Sequence, residues 1–259
     1  MIPYHMTQVS SLHSTDIFLT SNQKVIMATD TYMFVGSYTS KMGHATGKGK
    51  GISIYKFNSN DGSMKYIKTI DANECGPNPA AFYINSKANC MYICNECNEL
   101  MQITQIKMDP NNNFNVLQSN QYESFGTLTN FISSDINENN VYITNFGNDF
   151  TDTTSVVIYK IDPFTNDLIL INKDIVTENG SNLFKNRQKG SHFHYIAPCK
   201  RFKDKNEFYC ADLGRDKIYH YKITNDNKLK VISSIQTKLG GGTRHFTYHP
   251  TIDGMYTYI

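Results

Sequence analysis

The feature that most constrains this chain is a phrase it repeats four times. GISIYKFNSNDGSMKYI (51–67), LMQITQIKMDPNNNFNVL (100–117), SVVIYKIDPFTNDLILI (155–171) and KIYHYKITNDNKLKVIS (217–233) each read as an alternating strand, an Asn/Asp turn and a second strand. That is a hairpin signal. With Tyr55, Gln105, Tyr159 and Tyr221 as equivalent marks, the hairpin recurs about every 50–60 residues. Each is preceded by another strand pair, marked by YMFVGSYT, CMYICNE, NVYITNF and EFYCADL. Helical periodicity is hard to find anywhere. Four short antiparallel strands at this period predict an all-β fold, a β-propeller of four-stranded antiparallel blades. Separate sandwiches would need roughly a hundred residues each. The chain holds four blades and the opening of a fifth, ending in GMYTYI. A propeller closes by pairing its first and last blades. An end in mid-blade therefore predicts a fragment with open edge strands, prone to aggregate.

Charge and cysteine usage narrow the function classes. The 25 basic and 23 acidic side chains nearly cancel, and no run of like charge stands out. That argues against nucleic acid or a membrane surface as a partner bound by bulk electrostatics. No apolar stretch approaches the ~18 residues of a membrane-spanning helix. Residues 1–30 lack an apolar segment behind a basic start and fit no strand pattern well. They are read as a poorly ordered extension, with Met27 a candidate natural start, ahead of a partial propeller domain over 31–259. Cys94 and Cys97 form one CxxC, but no second CxxC or CxxH follows to complete a closed zinc site. Cys90, Tyr92 and Cys94 alternate within an apparent strand, where small buried thiols are common. The cysteines are read as structural and reduced, and the chain as cytoplasmic. GKGKG (47–51) lacks the spacing and following helix of a phosphate loop.

Candidate chemistry clusters at corresponding points of successive blades. GPNPAAFYI (76–84), GTLTNFISSDINENNVYITNF (126–146), GSHFHYIAP (190–198) and LGGGTRHFTYHP (239–250) each carry a glycine-containing connection into a strand. Innermost strands run along the central channel, so His192 or His194, Arg244, His245, Asn78 and Asn130 are expected to converge there. A period-2 strand places His192 and His194 on one face. Taken alone, such a pair fits proton transfer, a metal site or a polar strand end. Asp212 and Asp216 fit a turn, where aspartate side chains cap backbone amides.

VGSYTS with GISIYKF, NPAAFYI with YICNE, RQKGSHFHYIAP, ADLGRDKIYHYKI and GGGTRHFTYHP together resemble the seven-bladed β-propeller lactonase family over about residues 33–259. That family includes bacterial 6-phosphogluconolactonases and fungal carboxy-muconate cyclases. Where it typically has Pro-His-Pro-His, this chain has Ser-His-Phe-His (191–194). Where it has Gly-Pro-Arg-His, this chain has Gly-Thr-Arg-His (242–245). The lost prolines remove a φ restraint, but the histidines and the arginine remain. The resemblance implies a catalytic set of a first-motif histidine, the second-motif arginine and a glutamate from an Asn-Glu pair beyond MYTYI. Glu96 in YICNE is read as a structural echo of that pair.

On this basis His194 is expected to act as general base or acid, with His192 supporting or replacing it. Arg244 is expected to anchor a substrate anion or hold the developing oxyanion. Arg187, His245, Asn78 and Asn130 are expected to bind substrate, and Lys189 and Arg215 to help hold a phosphate. His245 has a supporting role in the fold as its alternative. The implied reaction is hydrolysis of a small anionic sugar lactone, 6-phosphogluconolactone of the pentose phosphate pathway, with neither cofactor nor metal. A carboxy-muconate-type cycloisomerase and a non-catalytic binding propeller are the alternatives. The oligomeric state is left open.

Overall fold

The computed structural model describes residues 9–13, 31–42, 45–85, 87–98, 102–147, 154–199, 206–249 and 257–259. They form four four-stranded antiparallel sheets and one two-stranded sheet, each built from consecutive strands. The first blade is β1 (Val9–His13), β2 (Thr31–Gly36), β3 (Gly51–Phe57) and β4 (Met64–Asp71). The second is β5 (Pro79–Asn85), β6 (Cys90–Asn95), β7 (Ile103–Asp109) and β8 (Asn115–Tyr122). The third is β9 (Thr129–Ser134), β10 (Asn140–Asn145), β11 (Thr154–Ile161) and β12 (Leu168–Val176). The fourth is β13 (Phe193–Pro198), β14 (Glu207–Asp212), β15 (Lys217–Ile223) and β16 (Leu229–Gln236), and β17 (Thr247–Tyr248) with β18 (Thr257–Tyr258) begins a fifth. The four repeated hairpins are β3–β4, β7–β8, β11–β12 and β15–β16, and Tyr55, Gln105, Tyr159 and Tyr221 all fall on third strands.

The hairpin turns explain the Asn/Asp punctuation. Each needs a residue with positive φ, supplied by Gly62 (73°), Asn113 (51°), Asn166 (61°) and Asn227 (61°). Asparagine and glycine take that conformation at least cost. Aspartate then caps the turn, as Asp162 Oδ1 does by accepting from the backbone N–H groups of Phe164 (2.8 Å) and Thr165 (2.9 Å).

Every core cluster lies between two neighbouring blades. Phe34, Ile54, Phe82 and Met91 fill the first interface, and Tyr92, Ile143 and Val157 the second. Tyr142, Phe193, Phe208 and Tyr221 fill the third, and Ala211, Phe246 and Tyr248 the fourth. Each large side chain buried this way contributes about 1.5–3 kcal/mol. Middle strands are covered on both faces, so β6 is buried along its whole length, whereas β16 is exposed nearly throughout. The first strands of successive blades adjoin: β1 packs beside β5, β5 beside β9 and β9 beside β13. These strands line the channel.

One expectation is corrected here. Val9–His13, inside the segment read as a poorly ordered extension, pairs in register with β2, from Val9 opposite Val35 to His13 opposite Thr31. The edge of β2 carries unpaired backbone groups that a strand satisfies. The remainder of residues 1–30 lies outside the described residues. All six cysteines are buried and none is in a disulfide, and no three His, Cys, Asp or Glu side chains converge as a metal site among the described residues. Among those residues, no helix is long and apolar enough to cross a membrane.

Candidate functional site

One device is repeated at the inner end of each complete later blade. The second strand ends in Asn95, Asn145 or Asp212, and that side chain grips the loop leading into the first strand. Asn95 Nδ2 donates to the carbonyls of Cys75 (2.9 Å) and Pro77 (2.8 Å). Asn145 Nδ2 donates to Ser124 O (2.6 Å), and Thr129 Oγ1 donates to Asn145 Oδ1. Asp212 accepts from the Ser191 hydroxyl and, at 2.9 Å, from the His192 backbone N–H. In all three blades the next pairing steps over one residue: Ala80, Asn130 or His194. A bulge of this kind re-aims a side chain and breaks strict alternation. His194 therefore stands at a position the scaffold already sets apart.

The bulge alters the expected relation of the two histidines. Both meet Phe146, but from different sides. The His192 ring stacks on it (centroids 4.3 Å, planes 7° apart), whereas the His194 ring stands edge-on (6.0 Å, 87°). His192 Nδ1 donates to the Phe146 carbonyl at 2.9 Å, which fixes its tautomer. His194 is 7% exposed, and its Nδ1 is buried without a hydrogen-bond partner. Its ring centroid lies 5.1 Å from that of His245, whose buried Nε2 also lacks a partner. Buried ring nitrogens are normally satisfied, so two orphans side by side mark a place built to contact something. Asn130 supports this arrangement by donating to the carbonyls of Phe193 (3.1 Å) and His194 (3.5 Å) while accepting from Thr144 Oγ1 (2.9 Å).

Two guanidiniums sit with these rings. Arg244 directly precedes His245, and Arg187 lies with its guanidinium carbon 5.6 Å above the Phe146 ring. Burial, then Arg244, His245 and Arg187, push His194 down to about 2. Burial and then Arg244 lower His245 as well. Burial and Arg187 lower Arg244, opposed by Glu96 and Tyr38. Both histidines are therefore neutral at pH 7. A cleft of about 550 Å³ opens beside Arg244 and His245, bordered by Gln236, Thr237, Gly242 and Thr243.

Asp216 fixes where Arg244 begins. Its carboxylate accepts from the N–H groups of Gly240 (2.8 Å) and Gly242 (2.7 Å) and from Gln188 Nε2 (2.8 Å). Gly240 and Gly242 have φ of 73° and 63°, which is why that turn is glycine. The aspartate expected to cap a turn thus ties the fourth blade's loop to the segment that carries Arg244 and His245 into β17.

The structure therefore brings together His192, His194, His245, Arg187, Arg244 and, by its backbone contacts, Asn130. Asn78 is fully buried and its amide is committed internally: Oδ1 accepts from Thr39 N (2.8 Å) and Ser40 N (2.9 Å), and Nδ2 donates to Glu96 O (3.0 Å). Its position is channel-side but its side chain holds loops. Arg215 is engaged elsewhere, paired with Glu178 and donating to Tyr219 OH at 2.8 Å. Lys189 is exposed. Sequence reasoning missed Phe146 as the platform for both histidines. The available signal was positional: Phe146 directly follows the gripping residue of its blade, as Glu96 and Leu213 do in theirs.

Comparison with known proteins agrees with this architecture. Residues 32–259 match the family model described as "Lactonase, 7-bladed beta-propeller". A 6-phosphogluconolactonase of Formosa agariphila is 26% identical over 235 residues, covering 87% of this chain and 60% of the relative. A crystal structure of a putative 6-phosphogluconolactonase from Bacteroides fragilis superposes with a TM-score of 0.65 at 21% identity, covering 85% of this chain and 58% of that one. The periplasmic gluconolactonase of Pseudomonas aeruginosa gives a TM-score of 0.65 at 18% identity, with the same coverage of 85% and 58%. The chain thus spans about three fifths of the length of the relatives it matches.

Proposed function

The chain belongs to the seven-bladed β-propeller lactonase family, and from that premise we propose that it hydrolyses an anionic sugar lactone of the 6-phosphogluconolactone type. The observation that carries this reading is the convergence of Arg187 and Arg244 on two neutral histidines, the buried His194 and the half-buried His245, each with a buried, orphaned ring nitrogen. Water attacks the ring carbonyl, the ring C–O bond breaks, and a hydroxyl and a carboxylic acid result, the acid then losing its proton to solvent. Arg244 holds the substrate's anionic group, with Arg187 beside it. His194 takes the proton from the attacking water and returns it to the leaving ring oxygen. His192, held by Phe146 and Asp212, positions that strand.

His194 is too weak a base in the free site, and the physical cause suggests how it becomes useful. Arg244 and Arg187 are two of the influences that suppress its protonation. A substrate anion resting on those guanidiniums offsets them and stabilises the imidazolium, so the substrate raises the basicity of its own base. The weak basicity of His194 also supports the second reading, an anion-binding propeller without turnover. A role in the pentose phosphate pathway, and a cytosolic location consistent with six cysteines outside any disulfide, belong to the same proposal. The test is to measure acceleration of 6-phosphogluconolactone opening over its spontaneous hydrolysis. Near-normal turnover in both His194→Ala and Arg244→Ala would remove this site from the reaction.

A further inference from the structure

One buried residue stands behind both arginines of the site. Asp216 occupies the turn between β14 and β15 at a positive φ of 53°. On the side of Arg187, its carboxylate accepts from Gln188 Nε2 at 2.8 Å. Gln188 directly follows Arg187 and is itself buried. Its amide also donates to Leu213 O at 2.9 Å, and these two acceptors fix which end is the NH2. The N–H groups of Arg187 and Gln188 both donate to Phe184 O at 2.8 Å, which closes the loop on itself. On the side of Arg244, the Asp216 carbonyl accepts from the backbone N–H and the hydroxyl of Thr237, each at 2.8 Å. Thr237 Oγ1 in turn accepts from the hydroxyl of Thr243, a buried residue directly before Arg244. Thr237 and Thr243 line the cleft, and the Asp216 carboxylate holds Gly240 and Gly242 of the same segment. The two arginines belong to one site through a chain of ring contacts: Arg187 reaches Phe146, Phe146 meets His194, and His194 meets His245, the neighbour of Arg244.

We propose that Asp216 is a positioning residue for the anion anchor: through its carboxylate and its carbonyl it pins the residues adjoining Arg187 and Arg244, and so sets the span that a substrate anion bridges between the two arginines. Both arginines sit on loop segments, whose backbone freedom would otherwise have to be lost when the anion binds. Holding both segments to one buried residue removes that freedom in advance. Three N–H donors converge on the Asp216 side chain, and only an acceptor-only carboxylate satisfies them all. This extends the reading of Asp216 as a turn cap, since the amides it caps belong to the segment that leads into Arg244. The inference rests on the proposed anion-anchoring role of the two arginines.

The test starts from Asp216→Asn, which keeps the shape and tolerates the positive φ but turns an NH2 toward one of the three donors. Gln188→Met and Thr237→Val each cut one arm at nearly unchanged volume, so the test stands even if Asp216→Asn does not fold. The first readout is the backbone order parameter at Arg187 and Arg244, expected near the rigid value of about 0.85. Both should fall toward about 0.6 in Asp216→Asn, Arg187 alone in Gln188→Met and Arg244 alone in Thr237→Val. The second is calorimetric binding of 6-phosphogluconate, which should weaken about tenfold in each single-arm variant, the scale of one hydrogen bond. Gln188→Met should cost no further affinity in an Arg187→Ala background, nor Thr237→Val in Arg244→Ala, because each arm acts through its arginine. A merely structural tether would cost the same affinity with and without that arginine. That result, or backbone segments at Arg187 and Arg244 indifferent to cutting the arms, overturns the proposal. Failure of the lactonase reading looks different: lactone opening is not accelerated, while both segments still loosen when their arms are cut.

Discussion

The leading segments of the second and fourth blades are the same structure put to different uses. Both follow a glycine-containing loop, both are gripped by the last residue of the second strand, and both bulge at one residue. In the second blade the gripping residue is Asn95, the bulge residue is Ala80, and the polar Asn78 is saturated by neighbouring backbone. In the fourth, Asp212 grips, the bulge residue is His194, and a ring nitrogen is left buried without a partner. Hydrogen-bond satisfaction separates the two side chains: the amide of Asn78 is spent on holding neighbouring loops, whereas His194 keeps a buried ring nitrogen without a hydrogen-bond partner.

The comparison breaks most readily at the bulge. Replacing His194 with alanine should lower kcat/KM for an anionic lactone by about 10²–10⁴, the usual contribution of a positioned acid or base. Replacing Ala80, its counterpart in the second blade, with serine should leave turnover unchanged. Equal losses from both would mean that the bulge itself matters and the imidazole does not. Arg244→Ala should follow, with a loss of about 10–100-fold seen chiefly as a raised KM, because a charge-assisted anchor acts on the bound ground state. A fall in kcat at constant KM would instead make Arg244 the oxyanion donor.

The repeat made the architecture legible: Tyr55, Gln105, Tyr159 and Tyr221 marked equivalent third strands because alternation and turn chemistry are local properties. The channel residues followed from topology, since successive first strands must adjoin. What was hidden depends on single hydrogen bonds. The sequence shows that Asn78 and His194 belong to related leading segments, but not that Thr39 and Ser40 reach across from the first blade to saturate one of them. The bulge was hidden for a similar reason: nothing in SHFHYI tells that His194 is stepped over while its neighbours stay paired. Val9–His13 was missed because so short a segment becomes a strand only when an edge such as β2 is available to it.

The gripping residues should matter for stability before they matter for chemistry. Asn95→Ala leaves the carbonyls of Cys75 and Pro77 and the Thr104 hydroxyl short of a partner, and should cost about 1–3 kcal/mol. Its effect on kcat should be small. Asp212→Ala should cost at least as much and also lower kcat, since it releases the His192 backbone from which the site is built. Denaturant melts and kinetics on the same two samples decide this. If both variants lose stability and neither loses kcat, the two blades are equivalent after all.

The smallest effect is the pH dependence of stability, and its sign follows from His194. In the unfolded chain this histidine titrates near 6.5, whereas in the folded protein it is pushed down to about 2. Above pH 6.5 both states are neutral and stability is flat. Below it, the unfolded state takes up a proton that the folded state refuses, so stability falls as pH falls, down to about pH 2. The slope is about 1.4 kcal/mol per pH unit. His245, also lowered, adds in the same direction, while Asp212, whose carboxyl burial raises, opposes it. Exposed carboxylates such as Asp162 lie below 3.8 and do not enter a window of pH 7.5 to 5. Urea melts across that window should show the wild type losing stability and His194→Asn losing distinctly less, because asparagine brings no proton-binding site. Identical slopes would mean that His194 is not the buried, neutral imidazole that distinguishes the fourth blade from the second.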